Sequence, residues 1–305
     1  MSRIPARVLS PELQHWMDKG QFHRLQKRNI FAIDEGNADL PVILLIHGFP
    51  TSSWDFVNIW NSLARHYRLI SLDMLGFGFS DKPDNRRYKI SKQADLFELL
   101  VARLQIAEFH ILAHDYGVSV AQELLSRQQQ GDAVGECLSC CFLNGGLFPE
   151  SHRARLIQKL LLSPAGKLVN HLNGFRMFSN SFSGVFGENT KPTRHELTLF
   201  WELINFNGGK HVFHNLITYM NERRQYRERW LSALQSAKMP LALINGSADP
   251  VSGSHMVDRY RNLGCRLDYL AQIEEVGHYP QAEDPVQVAG HYFRFLRQVA
   301  NRDSF

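Results

Sequence analysis

The sequence predicts an α/β fold: a mostly parallel central sheet, flanked by helices and interrupted by a helical cap insertion. Three observations lead there. Short continuous apolar runs alternate with amphipathic helical patterns toward both ends of the chain, and unbroken apolar strands belong to parallel sheets covered on both faces. The interval 147–238 breaks that alternation and reads as helix and loop, punctuated by Gly174, Gly184, Gly187, Pro192 and Gly208-Gly209. One strand-like run, "FHILAHD", passes at once into a helical pattern with Asp115 at the tip of the turn.

The elements follow in order. "PVILLIHG" is a β-rich apolar run that breaks at Gly48. Over 52–67 Phe56, Ile59, Trp60 and Leu63 share one helical face, and Ser52 or Ser53 can cap it. "YRLISLD" is the next strand. Over 91–106 Leu96, Leu99, Leu100 and Leu104 mark a helix. "EFHILAHD" is a strand, "YGVSVAQELLSRQQQ" a helix and "ECLSCCFLNGG" a strand. After the insertion come "PLALING" as strand, 253–264 as helix, "RLDYLAQIEEVGH" as strand and 284–301 as helix. The expected organisation is a core over 1–146, the helical insertion over 147–238, and the rest of the core over 239–305. The charges of "ERRQYRERW" within the insertion read as a solvated helix face. Open α/β sheets bind ligands at the carboxyl ends of their strands, and the insertion is expected to cover that edge.

Composition narrows the function classes. The chain has 305 residues, 44% of them hydrophobic, enough for one large domain or one domain with an insertion. A net charge of +4 on 34 basic and 30 acidic residues is too even to suggest a nucleic-acid partner. The longest apolar runs, such as "VILLI", fall far short of the roughly 20 residues of a membrane span. The N-terminal "MSRIPARVLSPELQHW" has no apolar stretch of the kind a secretory signal carries. Three of the four cysteines sit in "ECLSCCFLNGG". The C-x-x-C spacing of Cys137 and Cys140 neither opens a helix nor meets a second pair, so these are read as buried free thiols in a reducing, cytoplasmic compartment. Neither a cofactor nor a metal is expected.

A strand that turns straight into a helix can hold one side chain out at its tip if small residues stand two positions to either side. Ala113 and Gly117 are those small residues, which puts Asp115 where a nucleophile elbow carries its serine. The partners follow in the order that this arrangement requires, with Asp249 after the strand "LALING" and His278 after the last strand. Gly48 and Phe49 follow an earlier strand, so the N–H groups of Phe49 and Tyr116 are the expected oxyanion donors. A carboxylate attacking an ester would yield a reactive anhydride. The same carboxylate attacking a saturated carbon yields a stable alkyl ester, which water then opens with His278 as base and Asp249 orienting it. The expected partner is therefore a small apolar electrophile.

"HGFPTSSWDF", "LDMLGFGFSDKP", "AHDYG", "GSADPV" and "GHYPQAEDP" together resemble the epoxide hydrolase and haloalkane dehalogenase group of the α/β-hydrolase fold. The resemblance implies the fold, the Asp115–Asp249–His278 triad and a helical cap. It also bears on the leaving group. Dehalogenases of this group mostly cradle the halide with a tryptophan after the nucleophile and an asparagine or second tryptophan elsewhere, where this chain has Tyr116 and Phe49. Epoxide hydrolases usually protonate the leaving alkoxide with two cap tyrosines. The insertion holds Tyr219 and Tyr226, and "LITYMNERR" resembles the late cap motif, which nominates Tyr219. The expected activity is hydrolysis of an epoxide. A haloalkane or another alkylating electrophile, or a catalytically idle binding protein on the same fold, stays open beside it.

Overall fold

The computed structural model describes residues 9–84, 88–172 and 174–302. The first half of the N-terminal stretch considered for a secretory signal, residues 1–8, lies outside the described residues. The strands are β1 Gly20–Leu25, β2 Arg28–Glu35, β3 Val42–Ile46, β4 Arg68–Leu72, β5 Glu108–Ala113, β6 Glu136–Phe142, β7 Leu241–Gly246 and β8 Tyr269–Ile273. They form one sheet in the order β1-β2-β4-β3-β5-β6-β7-β8. From β4 to β8 every neighbouring pair is parallel. The β1–β2 hairpin joins the β4 edge antiparallel. Every residue of β3 and of β7 is buried, as expected for strands with helices on both faces.

The helices are α1 Pro11–Asp18, α2 Val57–Ala64, α3 Ile90–Arg103, α4 Tyr116–Gln130, α5 Leu156–Leu162, α6 Gly166–Leu172, α7 Phe175–Ser183, α8 Arg194–Asn205, α9 Phe213–Leu216, α10 Tyr219–Gln225, α11 Arg227–Gln235, α12 Ser254–Asn262, α13 Pro280–Glu283 and α14 Pro285–Arg302. α4 begins directly at the turn after β5 and stops at Gly131, whose φ of 80° ends it in a left-handed cap. α8 opens on a capping box in which Thr193 and Glu196 satisfy each other's backbone N–H groups. Helices α5 to α11 all lie between β6 and β7. α11 leaves the others and packs on α4, where the Trp230 indole N–H and the Arg229 guanidinium both reach Glu123.

Several elements differ from the sequence expectations. α1, β1 and β2 were not anticipated. α1 buries Leu13 and Trp16, and Trp16 packs edge-on against Trp54 and Trp60 at 5.4 and 4.9 Å. The helix expected over 52–67 divides into a 3₁₀ turn, Ser53–Phe56, and α2, with Ser52 Oγ accepting the Trp54 N–H. The last strand ends at Ile273 rather than 278, so His278 stands on a loop free of ladder constraints. The charges of "ERRQYRERW" are not a uniformly solvated face. Arg223 is 2% exposed, Glu222 accepts the Ile90 N–H, and Arg227 pairs with Glu150. Glu222 and Arg223 thus tie this stretch to α3 and α4, while the Arg227–Glu150 pair lies within 147–238. Among the described residues no helix is long and apolar enough to cross a membrane, and the four cysteines are free and buried.

Candidate active site

The turn between β5 and α4 places Asp115 at φ 43° and ψ −104°, a conformation that costs an L-residue of order 1–3 kcal/mol and persists only when its surroundings hold it. Those surroundings are close-packed backbone. The Asp115 N–H donates to Asn144 O at 2.8 Å and the His114 N–H to Ile46 O at 2.9 Å. A Cβ on Gly117 would stand 2.2 Å from Ile46 O, so only glycine lets α4 start this near β3. Across the turn, a Cβ on Gly48 would meet the Asp115 Cβ at 2.9 Å. That closeness brings the Phe49 N–H to Asp115 Oδ2 at 3.0 Å. Tyr116 opens α4, so its N–H is among the donors the helix itself leaves unbonded.

The loop carrying Phe49 is braced from below. Asp55 Oδ2 accepts the Gly48 N–H at 3.0 Å and the Thr51 hydroxyl at 2.7 Å. His114 Nδ1 faces the same carboxylate at 3.3 Å, and its Nε2 donates to the His278 carbonyl at 2.8 Å. Sequence reasoning missed this bracket, because a histidine beside a candidate nucleophile carries no signal of which way it points.

His278 stands between two carboxylates. Its Nδ1 meets Asp249 Oδ2 at 2.7 Å and its Nε2 lies 3.6 Å from Asp115 Oδ1. Asp249 is itself held by the Ser252 hydroxyl at 2.7 Å, the Val251 and Ser252 N–H groups, and the Asn144 carboxamide. Burial alone would depress the imidazole, but the charge of Asp249 and the Asp115 carboxylate push it up to about 10. Burial would raise the Asp115 carboxyl, and His278 with Arg223 nearby holds it well below the ordinary carboxylate range instead. Asp249 is lowered in the same way, chiefly by His278 against its own burial.

The insertion contributes a buried cation that the sequence had not nominated. Arg223 Nε donates to Ser119 Oγ at 2.7 Å and its Nη2 to Asp115 O at 3.0 Å. Its guanidinium also lies over the Tyr219 ring at 4.6 Å. Tyr219 is fully buried, its ring 4.8 Å from Tyr116 and 6.1 Å from Phe49. Its hydroxyl makes no hydrogen bond of ordinary geometry, and burial raises the phenol, with the Asp115 charge raising it further.

A cavity of about 690 Å³, counting its open mouth, reaches down to Asp115 and His278. Phe49, Val251 and Tyr279 complete one side of its wall, and Ile157, Leu161, Phe178, Phe182 and Phe213, all from the segment between β6 and β7, supply an apolar opposite side. Polar groups are few: Arg155, Gln158, Ser181 and the Tyr279 phenol beside the two charged residues. Asp115, Asp249, His278 and Phe49 are thus brought together. Tyr116 adjoins them through the backbone, and Tyr219 packs against Tyr116 and the wall residue Phe49 without being among the lining residues itself.

The chain matches the model of the alpha/beta hydrolase fold family over residues 41–285 and belongs to that family. It is 40% identical over 305 residues to the mesoderm-specific transcript protein of Mus musculus, covering 96% of this chain and 90% of that protein. It is 34% identical over 278 residues to a protein named as the hydrolase LipZ of Mycobacterium tuberculosis, covering 91% and 96%. Among solved structures, a loop variant of the haloalkane dehalogenase DbeA from Bradyrhizobium elkanii superposes with a TM-score of 0.79 at 18% identity, over 93% of this chain and 98% of that one. That last likeness establishes the fold.

The His278 environment makes a pH prediction. Its folded value lies above the ordinary 6.5, so the protonated ring stabilises the fold fully below pH 6.5, and that contribution is lost as pH rises through about 10. Replacing His278 with glutamine removes it. Urea unfolding across this range is expected to show the stability gap between wild type and His278→Gln shrinking with rising pH; a gap of constant size would contradict the pairing.

Proposed function

We propose that this hydrolase uses Asp115 as a nucleophile toward a saturated electrophilic carbon, forming a covalent alkyl ester, and that epoxides are the substrate class. In this reading 147–238 acts as the cap over a core made of 1–146 and 239–305. The observation that carries it is the unequal setting of the two Asp115 oxygens. Oδ2 is held by the Phe49 N–H, which suits the oxygen that stays a carbonyl. Oδ1 is the one nearer His278, which suits the oxygen that attacks carbon.

The first step forms the bond from Oδ1 to the substrate carbon and breaks a carbon–oxygen bond of the epoxide, leaving an alkoxide. A base then takes a proton from water, the resulting hydroxide adds to the Asp115 ester carbon, and the negative charge moves to Oδ2. The N–H groups of Phe49 and Tyr116 support that oxyanion, each such donor contributing ~10²–10³ in rate. Collapse breaks the bond between the ester carbon and Oδ1. Oδ1 leaves as the second hydroxyl of the diol by taking the proton back from the base, and the new carboxyl returns its proton to the group that protonated the first alkoxide, which restores the carboxylate. His278 suits the base role because alkylation neutralises Asp115, one of the two charges that raise the ring. The ester therefore creates a less basic imidazole that can be neutral near neutral pH.

An alkoxide needs a proton, and Tyr219 is proposed as its source. Its phenol is not committed to another acceptor, it interacts with Asp115, and Arg223 stabilises its anion. Tyr279 is the competing phenol; it stands in the wall, with its hydroxyl directed to Phe49 O at 3.4 Å. Among the described residues the wall contains no indole to cradle a halide, which places carbon–halogen substrates second.

Two outcomes are expected. His278→Gln, exposed to a panel of epoxides and haloalkanes, should accumulate an alkyl adduct visible by intact mass; full turnover by this variant would refute the base assignment, and no adduct with any substrate would leave a binding protein. Tyr219→Phe should slow epoxide opening by ~10²–10⁴ while sparing an activated alkyl halide. A loss carried by Tyr279→Phe instead would move the acid to Tyr279, and equal losses on both substrates would reduce Tyr219 to a packing role.

A further inference from the structure

The helices that wall the cavity carry a second face. α5 sends Ile157 and Leu161 to the cavity while Leu156 and Leu160 stand 73% and 41% exposed. α6 follows directly with Leu168 and Leu172, 63% and 65% exposed. In each pair the spacing of four puts both leucines on one side of the helix. Met177 is 45% exposed and also lines the cavity, so an apolar side chain of the next helix stands open to solvent at the cavity itself. Helices of a water-soluble protein normally turn such residues inward, and a contiguous exposed apolar patch marks an interaction site.

Charge identifies the occupant. From residue 151 to 187 the chain has Arg153, Arg155, Lys159, Lys167 and Arg176 and not one aspartate or glutamate. All five cations are exposed, and among the described residues none enters an ion pair. Asp84 lines a surface depression together with Lys167 and Leu168, and the five cations outnumber it. Leucines flanked by such an excess of cations fit a surface that is apolar within and anionic at its rim, which is a bilayer of anionic lipid. A protein partner is favoured less, because protein interfaces are anchored by aromatic residues and this patch is aliphatic. We propose that the α5–α6 face docks on an anionic lipid surface, and that apolar substrate passes from the bilayer into the cavity at Met177. Docking stands on this surface alone; only the delivery of substrate rests on the hydrolase reading above.

Vesicle flotation of the full chain reads the docking without any chemistry. Wild type should float with equimolar phosphatidylcholine–phosphatidylglycerol vesicles, bind phosphatidylcholine alone far more weakly, and dissociate as salt screens the charges. Leu156→Ser/Leu160→Ser and Lys159→Glu/Lys167→Glu should each weaken binding about tenfold or more, with unchanged thermal unfolding as the control for folding. Absence of wild-type binding at low salt, or binding that both double variants retain, overturns the proposal. So does a wild-type dimer in sedimentation velocity that the leucine variant dissolves while neither floats, since a second copy would then cover the face.

Discussion

The site depends on one constraint: a carboxylate held where the backbone does not want to be. Asp115 has a positive φ in a sharp turn, and its side chain makes no capping bond to its own helix that would offset the strain. The restraint comes from outside. Ile46 of β3 and Asn144, two residues past the end of β6, accept the backbone N–H groups of His114 and Asp115, Gly117 lets α4 approach the carbonyls at the end of β3, and Arg223 from the insertion ties down the Asp115 carbonyl. The parallel sheet thus does more than bury apolar strands. It supplies the aligned strand ends from which one side chain projects and two loops, bearing Phe49 and His278, converge on it.

Electrostatics then set the resting state. Two buried carboxylates and one imidazole form a coupled group in which the pair is charged and the ring protonated. Such a ring cannot act as a base. Alkylation of Asp115, as proposed, would change that, because it would remove a negative charge 3.6 Å from Nε2 and leave only Asp249 to hold the proton. In the proposed cycle the first step prepares the catalyst for the second, with no conformational change required. Arg223 belongs to the same balance. Its charge favours the ionised Asp115 carboxylate, and its position on α10 makes the helices between β6 and β7 participants in the electrostatics of the site.

How much of this was legible varied with the range of the signal. α4 runs over the same residues that its pattern marked, Tyr116–Gln130, because both of its ends carry local punctuation, the elbow and Gly131. β3 and β7 were legible because every residue is buried and each is dominated by an apolar run, and β5 because its apolar residues lead straight into the elbow. The β1–β2 hairpin was not, since its turn places Gln26 and Lys27 at φ 45° and 63° without the glycine or asparagine that usually announces such a turn. Arg223 was hidden for a different reason. Its partners Ser119 and Asp115 lie 104 and 108 residues away, and a cation among other cations in a helix looks solvated until the fold supplies the carbonyl. Asn144, which bridges Asp249 and the end of β7, was likewise invisible to spacing.

The central claim, that Asp115 itself becomes the ester, is tested most directly by single turnover of an epoxide in water carrying heavy oxygen, followed by mass analysis of the peptide containing Asp115. Attack of water on the ester carbon leaves the heavy oxygen in the Asp115 carboxylate and returns product bearing the enzyme's own light oxygen. Label in the Asp115 peptide is the predicted result. Label confined to the product would mean that water attacked the substrate directly, and the covalent account would be wrong.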